Sequence, residues 1–100
     1  MTKMTTEEAF VKVLQTHGIE QAFGIIGSAF MPISDLFPAA GITFWDVAHE
    51  TNGGLIADGY TRSTGKMSMV IAQNGPGITG LVTPIKTAYW NHTPLLLVTP

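Results

Sequence analysis

Apolar and polar positions along this chain form short runs that predict helices and strands in regular succession. An apolar repeat at helical spacing follows the Thr5-x-x-Glu8 pattern of a capping box, which predicts a first helix over residues 6–17. Further helices are predicted over residues 30–36, ending before Pro38, and over 50–64 and 78–90. Short apolar runs predict strands over residues 21–26, 42–47, 67–72 and 94–98. In the helix at 50–64, the residues expected on the buried side are Leu55, Ile56, Ala57 and Tyr60.

The alternation of strands and helices is typical of an α/β fold, here a doubly wound parallel sheet with crossover helices. The 100 residues make one domain at most. The fourth predicted strand ends at the last residues, where the pattern predicts another loop and helix. We therefore expect the sheet to be truncated at its C-terminal end.

Composition narrows the possible partners. Hydrophobic residues make up 45% of the sequence and charged residues 12%, whereas a charged share of about 25% is usual. We expect the rest of a longer polypeptide or a subunit partner to cover part of this surface. The net charge of −2 and the absence of a basic run argue against a nucleic-acid or membrane partner. The polar first residues and the absence of cysteine predict a cytoplasmic location without disulfides.

Three predicted strands end in groups that are able to hold a cofactor. Gly24–Ser28 follows the first strand, His49-Glu50 the second, and Asn74–Gly77 the third. In an open parallel sheet, the loops at the carboxyl ends of the strands face one common crevice, where ligands bind. The sequence therefore predicts a site built from these three loops, with Glu50 as its only acid.

Glu50 has an ordinary interpretation and a functional one. An acid in the first turn of a helix is favoured by the helix dipole, with no further role. Alternatively, the apolar neighbourhood and the close approach that Gly53 and Gly54 permit suit a carboxylate that relays a proton. Asp46, His49 and Glu50 have no spacing that would place them on one face, so no metal site is predicted.

Residues 75–80 match the G-x-G-x-x-G pattern of dinucleotide-binding proteins. Pro76 removes a backbone N–H that a phosphate would use, and the acid expected about 20 residues further on is missing. A glycine-rich turn with proline near the start of a helix, or a different cofactor, explains the pattern equally well. Ser28 lies outside a G-x-S-x-G motif, so a hydrolase is not supported.

Residues 20–28, 48–50 with 57–66, and 73–77 resemble the N-terminal, pyrimidine-binding domain of thiamine diphosphate-dependent enzymes of the acetolactate synthase and decarboxylase group. The resemblance covers nearly the whole chain in the right order. It implies that residues 1–100 form the N-terminal part of that domain. Four residues depart from the family pattern: Ile26, Thr51, Asn52 and Gly80.

The resemblance implies a role for each candidate residue. Glu50 is the catalytic residue, which hydrogen-bonds the pyrimidine ring and favours the imino tautomer that removes the thiazolium C2 proton. Ser28 lines the substrate pocket. The residues implied to bind the cofactor are Gly27, Gly75, Pro76 and Gly77.

The cofactors implied by the resemblance are thiamine diphosphate and Mg²⁺, with the metal and the diphosphate held by a separate domain. The family site is shared between subunits of a homo-oligomer, a dimer or tetramer, that acts on a small molecule. The 100-residue chain alone is therefore expected to be inactive.

Within the family, residues 44–46, 66–69 and 86–95 are most similar to the sulfoacetaldehyde acetyltransferases. These enzymes use phosphate to cleave sulfoacetaldehyde into acetyl phosphate and sulfite during taurine breakdown. The alternatives within the family are an acetolactate synthase or a 2-oxo acid decarboxylase. Outside it, the alternatives are a small nucleotide-binding module or a non-catalytic fragment.

Overall fold

The computed structural model describes residues 3–100, which form a four-stranded sheet flanked by helices. The strands are β1 (Gln21–Gly24), β2 (Thr43–Asp46), β3 (Ser68–Ile71) and β4 (Leu95–Val98). The helices are α1 (Thr6–Thr16), α2 (Met31–Ser34), α3 (Phe37–Ala40), α4 (Glu50–Thr64), α5 (Pro76–Thr79) and α6 (Val82–Trp90). The four predicted strands are thus confirmed, each with slightly shorter bounds.

All neighbouring strands of the sheet run parallel, in the order β2-β1-β3-β4. The strand order changes direction between β1 and β3, because β2 lies on one side of this pair and β4 on the other. Ligands of open α/β sheets bind at the carboxyl ends of the strands at such a switch point. The topology therefore predicts that a ligand site would lie at the loops that follow Gly24 and Ile71.

The sheet is covered on both faces, which confirms the doubly wound α/β fold. Alternate strand residues point to opposite faces. Ala22, Met69 and Ile71 belong to one core cluster, with buried residues of α1 and α3. Phe23 and Val70 belong to a second cluster, which includes buried residues of α4 and the start of α6.

The capping box at the start of α1 is confirmed. The Thr5 hydroxyl accepts a hydrogen bond from the Glu8 amide at 3.1 Å, and the Glu8 carboxylate accepts one from the Thr5 amide at 3.2 Å. Together they satisfy two backbone donors that the helix itself leaves unpaired. Local sequence is sufficient to start this helix.

One predicted helix is shorter than expected and is followed by a helix that was not predicted, and another predicted helix is divided. The segment at 30–36 forms α2 and is followed by α3, which starts at Phe37 and includes Pro38 in its first turn. Proline is tolerated there because the first-turn amide has no partner within the helix. The segment at 78–90 is divided at Gly80 and Leu81, because the chain turns so that Leu81 becomes fully buried beneath α4.

The bounds of α4 match the prediction, but the predicted buried face was partly wrong. Leu55 and Ile56 are 41% and 48% exposed. The residues of α4 that are buried are Gly53, Gly54, Ala57, Asp58 and Thr61. Most of these are small because α4 packs very close to its neighbours: a Cβ on Gly54 would lie 2.4 Å from Pro84.

Candidate functional site

The helix that carries Glu50 begins at the carboxyl end of the sheet. His49 is its N-cap in an extended conformation, with φ −148°, and its Nδ1 accepts a hydrogen bond from the Thr51 amide at 3.1 Å. A side-chain acceptor at this position satisfies one of the free amides of the first turn. His49 therefore fixes the direction in which α4, and with it Glu50, leaves the second loop.

The Glu50 carboxylate lies against the third loop, as the sequence predicts. A Cβ on Gly77 would lie 3.4 Å from Oε2 of Glu50, and a Cβ on Gly80 would lie 3.4 Å from Cβ of Glu50. Glu50 is half-buried, whereas Gly77 is buried. The Glu50 side chain thus lies close to the backbone of the third loop at two of its glycines.

A direct hydrogen bond joins the same two segments. The Thr51 hydroxyl donates to the Gly80 carbonyl oxygen, in a partly buried position. Thr51 and Gly80 both depart from the family pattern, and the structure places them in contact. This bond holds the first turn of α4 on the end of α5.

At the carboxyl end of the sheet, β1 and β3 and the loops that follow them approach each other so closely that only glycine fits on the β1 side. A Cβ on Gly24 would lie 2.0 Å from the carbonyl oxygen of Ile71, and the φ of Gly24 is +149°. A Cβ on Gly27 would lie 2.1 Å from Oε1 of Gln73. Gly27 therefore lies where the first loop meets the third, and its contact is a side chain of the third loop.

Gln73 is a residue of the crevice that sequence reasoning did not single out. Its Oε1 is buried, and no hydrogen-bond partner for it occurs in the described part of the chain. The one signal in the sequence was its position, as the first polar residue after the fully buried β3. Ser28, next to Gly27, is exposed at the mouth of the crevice.

The Gly75–Gly80 segment does not begin a long helix. Gly75 has φ +68°, Pro76 lies in the first turn of α5, and α5 ends after four residues at Thr79. A dinucleotide fingerprint opens a longer helix whose N-terminus faces the pyrophosphate. The interpretation as a glycine-rich turn with proline near the helix start agrees with the structure.

Two kinds of feature are missing from residues 3–100. No group of three or more His, Cys, Asp or Glu side chains lies close enough to hold a metal ion. Within that same range, none of the helices has the length and apolar character that crossing a membrane requires.

Comparison with known proteins explains this arrangement. Residues 4–100 match the family model described as thiamine pyrophosphate enzyme, N-terminal TPP binding domain. The chain belongs to this family. The resemblance stated from the sequence is thereby confirmed, and family members act on small-molecule substrates.

The curated relatives include acetyltransferases. A sulfoacetaldehyde acetyltransferase of Roseovarius nubinhibens is 81% identical over 98% of this chain and 16% of its own length. One of Rhodobacter capsulatus is 74% identical over 98% of this chain and 17% of its own length. The chain thus spans about a sixth of the length of the curated relatives it matches.

The fold of this family member also matches solved structures. The crystal structure of benzoylformate decarboxylase from Polynucleobacter necessarius superimposes with a TM-score of 0.88 at 26% identity, covering 97% of this chain and 18% of that one. The parallel sheet with flanking helices is thus the fold of thiamine pyrophosphate enzyme domains.

Proposed function

We propose that this chain is the N-terminal segment of a thiamine diphosphate-dependent sulfoacetaldehyde acetyltransferase. The observation that carries the proposal is the position of Glu50, whose carboxylate faces the glycine wall at Gly77 beside the switch point of the sheet. The high identity to sulfoacetaldehyde acetyltransferases over almost the whole chain supports this choice of substrate.

The residues of the crevice fit an aminopyrimidine ring. A flat ring needs a wall without side chains, and Gly77 supplies one beside Glu50. Gly75, Pro76 and Gly77 would shape this wall, and Gly27 would close the opposite side. When bound, thiamine diphosphate would supply the carbon nucleophile that attacks the substrate, which no side chain of this segment provides.

The role of Glu50 is to hold a proton at its carboxylate, shared with a ring nitrogen of the cofactor. A half-buried carboxylate at the start of α4 is partly shielded from water, which would otherwise compete for that hydrogen bond. The Thr51–Gly80 hydrogen bond fixes the helix turn that carries it. Glu50 is therefore positioned by both its N-cap residue His49 and the third loop.

Ser28 would contact the substrate. It is exposed at the mouth of the crevice, one residue beyond the close contact at Gly27. Its hydroxyl is able to donate and to accept hydrogen bonds, which suits an oxygen-rich small molecule.

The partners of the enzyme belong to the same proposal. Large apolar side chains are exposed on this segment, including Trp45, Val82, Tyr89 and Trp90 at 53–74% exposure. Their exposure supports the proposal that another domain or a second subunit of a homo-oligomer covers these side chains. We further propose that this other domain binds the diphosphate and Mg²⁺, that the enzyme is cytoplasmic, and that the 100 residues alone are inactive.

The test uses a full-length protein that carries this chain. With thiamine diphosphate, Mg²⁺, sulfoacetaldehyde and phosphate, we expect acetyl phosphate and sulfite. Formation of acetolactate from pyruvate, without acetyl phosphate, would replace the proposed reaction by the acetolactate synthase alternative.

The role of Glu50 is tested by Glu50→Gln, which keeps the shape but removes the exchangeable carboxyl proton. We expect hydrogen–deuterium exchange at C2 of the bound cofactor to slow by about 10²–10⁴-fold, the usual contribution of general acid–base catalysis. Glu7→Gln is the matched control, because Glu7 is also half-buried and lies in the first turn of α1. Equal exchange rates in the Glu50 variant and the parent would remove Glu50 from the mechanism.

A further inference from the structure

Gln73 and Gly27 form a close contact across the switch point of the sheet. Gln73 follows β3 and Gly27 follows β1, the two strands between which the strand order changes direction. A Cβ on Gly27 would lie 2.1–2.4 Å from the three terminal atoms of the Gln73 side chain. The Gln73 carboxamide thus occupies the space that any side chain at position 27 would fill.

This carboxamide has an unmet hydrogen-bonding requirement. Its Oε1 is buried from solvent, and within the described residues it has no hydrogen-bond partner. Buried polar atoms without a partner are rare, because each one loses its bond to water without replacement. Beside the crevice, this oxygen leaves a hydrogen-bond acceptor available to a partner that arrives with a ligand.

The position of Gln73 relative to Glu50 and Ser28 identifies the ligand side. A Cβ on Gly77 would lie 3.4 Å from Oε2 of Glu50 and 3.5 Å from Cβ of Gln73, so both residues border the same space. The tip of Gln73 points away from Gly77 toward the first loop, where Ser28 is exposed. The carboxamide therefore lies on the side of the crevice where the substrate would bind.

We propose that Gln73 is a specificity-determining residue, whose carboxamide hydrogen-bonds a polar group of the small substrate between the first and third loops. The inference rests on the function proposed above and names a further contact of that site. Oε1 accepts a hydrogen bond from a hydroxyl group. Rotation of the amide by half a turn presents Nε2 instead, which donates to an aldehyde or sulfonate oxygen.

The test compares two variants of nearly equal shape in a full-length protein carrying this chain. Gln73→Met removes both hydrogen-bonding atoms, and Gln73→Glu keeps the acceptor but adds a negative charge. The matched control is Gln15→Met, because the amide of Gln15 donates to the Ala40 carbonyl at 3.0 Å in an exposed position outside the crevice. Thiamine diphosphate affinity is measured by calorimetry in each variant and should change less than about threefold, since the proposed contact is with the substrate.

Binding is measured with two unreactive probes, 2-hydroxyethanesulfonate and ethanesulfonate. Because Gln73→Met removes one hydrogen bond, the affinity for 2-hydroxyethanesulfonate should fall by about 5–15-fold. The KM for sulfoacetaldehyde should rise by a similar factor. If only this probe is weakened, the contact is with the carbon-bound oxygen. If both are weakened, and further by Gln73→Glu, the contact is with the sulfonate. Either result supports the proposal, and Gln15→Met should match the parent.

The proposal is overturned if Gln73→Met leaves both the probe affinities and the KM for sulfoacetaldehyde within twofold of the parent. If a probe binds too weakly to be measured, the KM for sulfoacetaldehyde alone decides. The result is separate from failure of the proposed function, which would appear as a parent protein unable to form acetyl phosphate. In that case the same KM comparison is made with pyruvate, and an unchanged KM or the absence of turnover overturns the proposal.

Discussion

Polar side chains at the two ends of the sheet differ in whether they are hydrogen-bonded to one another. At the amino end, side chains bond to each other: the Thr61 and Ser68 hydroxyls lie 2.9 Å apart, and Lys66 donates to Glu20 at 2.8 Å. At the carboxyl end, the crevice holds the Glu50 carboxylate and the Oε1 of Gln73, which has no hydrogen-bond partner among residues 3–100.

The glycines of the crevice and those elsewhere differ in how closely other elements approach them. A Cβ on Gly27, Gly77 or Gly80 would meet a neighbour in the crevice, whereas a Cβ on Gly59, in the second half of α4, would meet no described atom beyond its adjacent residues and its own helix backbone. Glycine in a helix interior costs about 1 kcal/mol relative to alanine. Such glycines are explained where close approach requires them, as at Gly53, whose Cβ would lie 3.4 Å from the Cα of Gly24. Close approach of separate elements thus explains the glycines at Gly24 and Gly53 and does not explain Gly59.

The largest effect is expected from Gly24→Ala. The new Cβ would lie 2.0 Å from the Ile71 carbonyl oxygen, and backbone on both sides prevents it from moving away. We expect the free energy of unfolding to fall by on the order of 3 kcal/mol. Urea unfolding of a full-length protein carrying this chain measures the loss.

Gly59→Ala is the matched control for this substitution. It adds the same methyl group to α4 where no atom of residues 3–100, beyond the adjacent residues and the backbone of α4 itself, lies within 4 Å. A gain of about 0.5–1 kcal/mol is expected from helix propensity. Equal effects of the two substitutions would show that the close packing of the crevice has no special importance.

A smaller effect is expected from Thr51→Val, which keeps the branched shape but removes the hydroxyl that donates to the Gly80 carbonyl. A lost hydrogen bond of this kind should lower the free energy of unfolding by about 1 kcal/mol. Because the bond holds the first turn of α4, C2 exchange of the bound cofactor should also slow, by less than in Glu50→Gln. Thr16→Val is the control, since the Thr16 hydroxyl donates to the Lys12 carbonyl within its own helix α1. An unchanged exchange rate would remove Thr51 as a positioning residue.

The smallest effect is expected at the amino end, from Lys66→Met. The pKa of Lys66 is raised, first by its hydrogen bond to Glu20 and then by the charge of that carboxylate. A raised pKa means that the stabilising contribution is complete below the ordinary lysine value of 10.5 and is lost as the pH rises through the raised value. Because Lys66 is fully exposed, the melting temperature should fall only slightly at pH 7.

The pH series supplies the check on this ion pair. The difference in melting temperature between parent and Lys66→Met should persist to pH 9 and disappear at pH values above the raised pKa. Lys12→Met, on the exposed face of α1, provides the comparison for losing a lysine charge alone. A difference that grows at high pH would contradict the assigned ion pair.

Features that depend on neighbouring residues were predictable from the sequence by itself. The capping box at Thr5 and Glu8, the start of α4 at Glu50 and the four parallel strands all follow from local patterns, and all are present. The crevice was predictable as well, because the carboxyl ends of parallel strands lie at one edge of a sheet.

The tertiary structure decided what depends on how closely separate elements approach. Leu55 and Ile56 remain exposed because the glycines of α4 face its neighbours, and no periodicity of α4 alone reveals the position of Pro84. Likewise, Gln73 is recognised as a crevice residue by its contact with Gly27, which lies far away in the sequence. The periodicity of apolar residues predicts which face of a single helix or strand is buried. The geometry of a site between loops depends instead on the distances between separate elements, which this pattern does not contain.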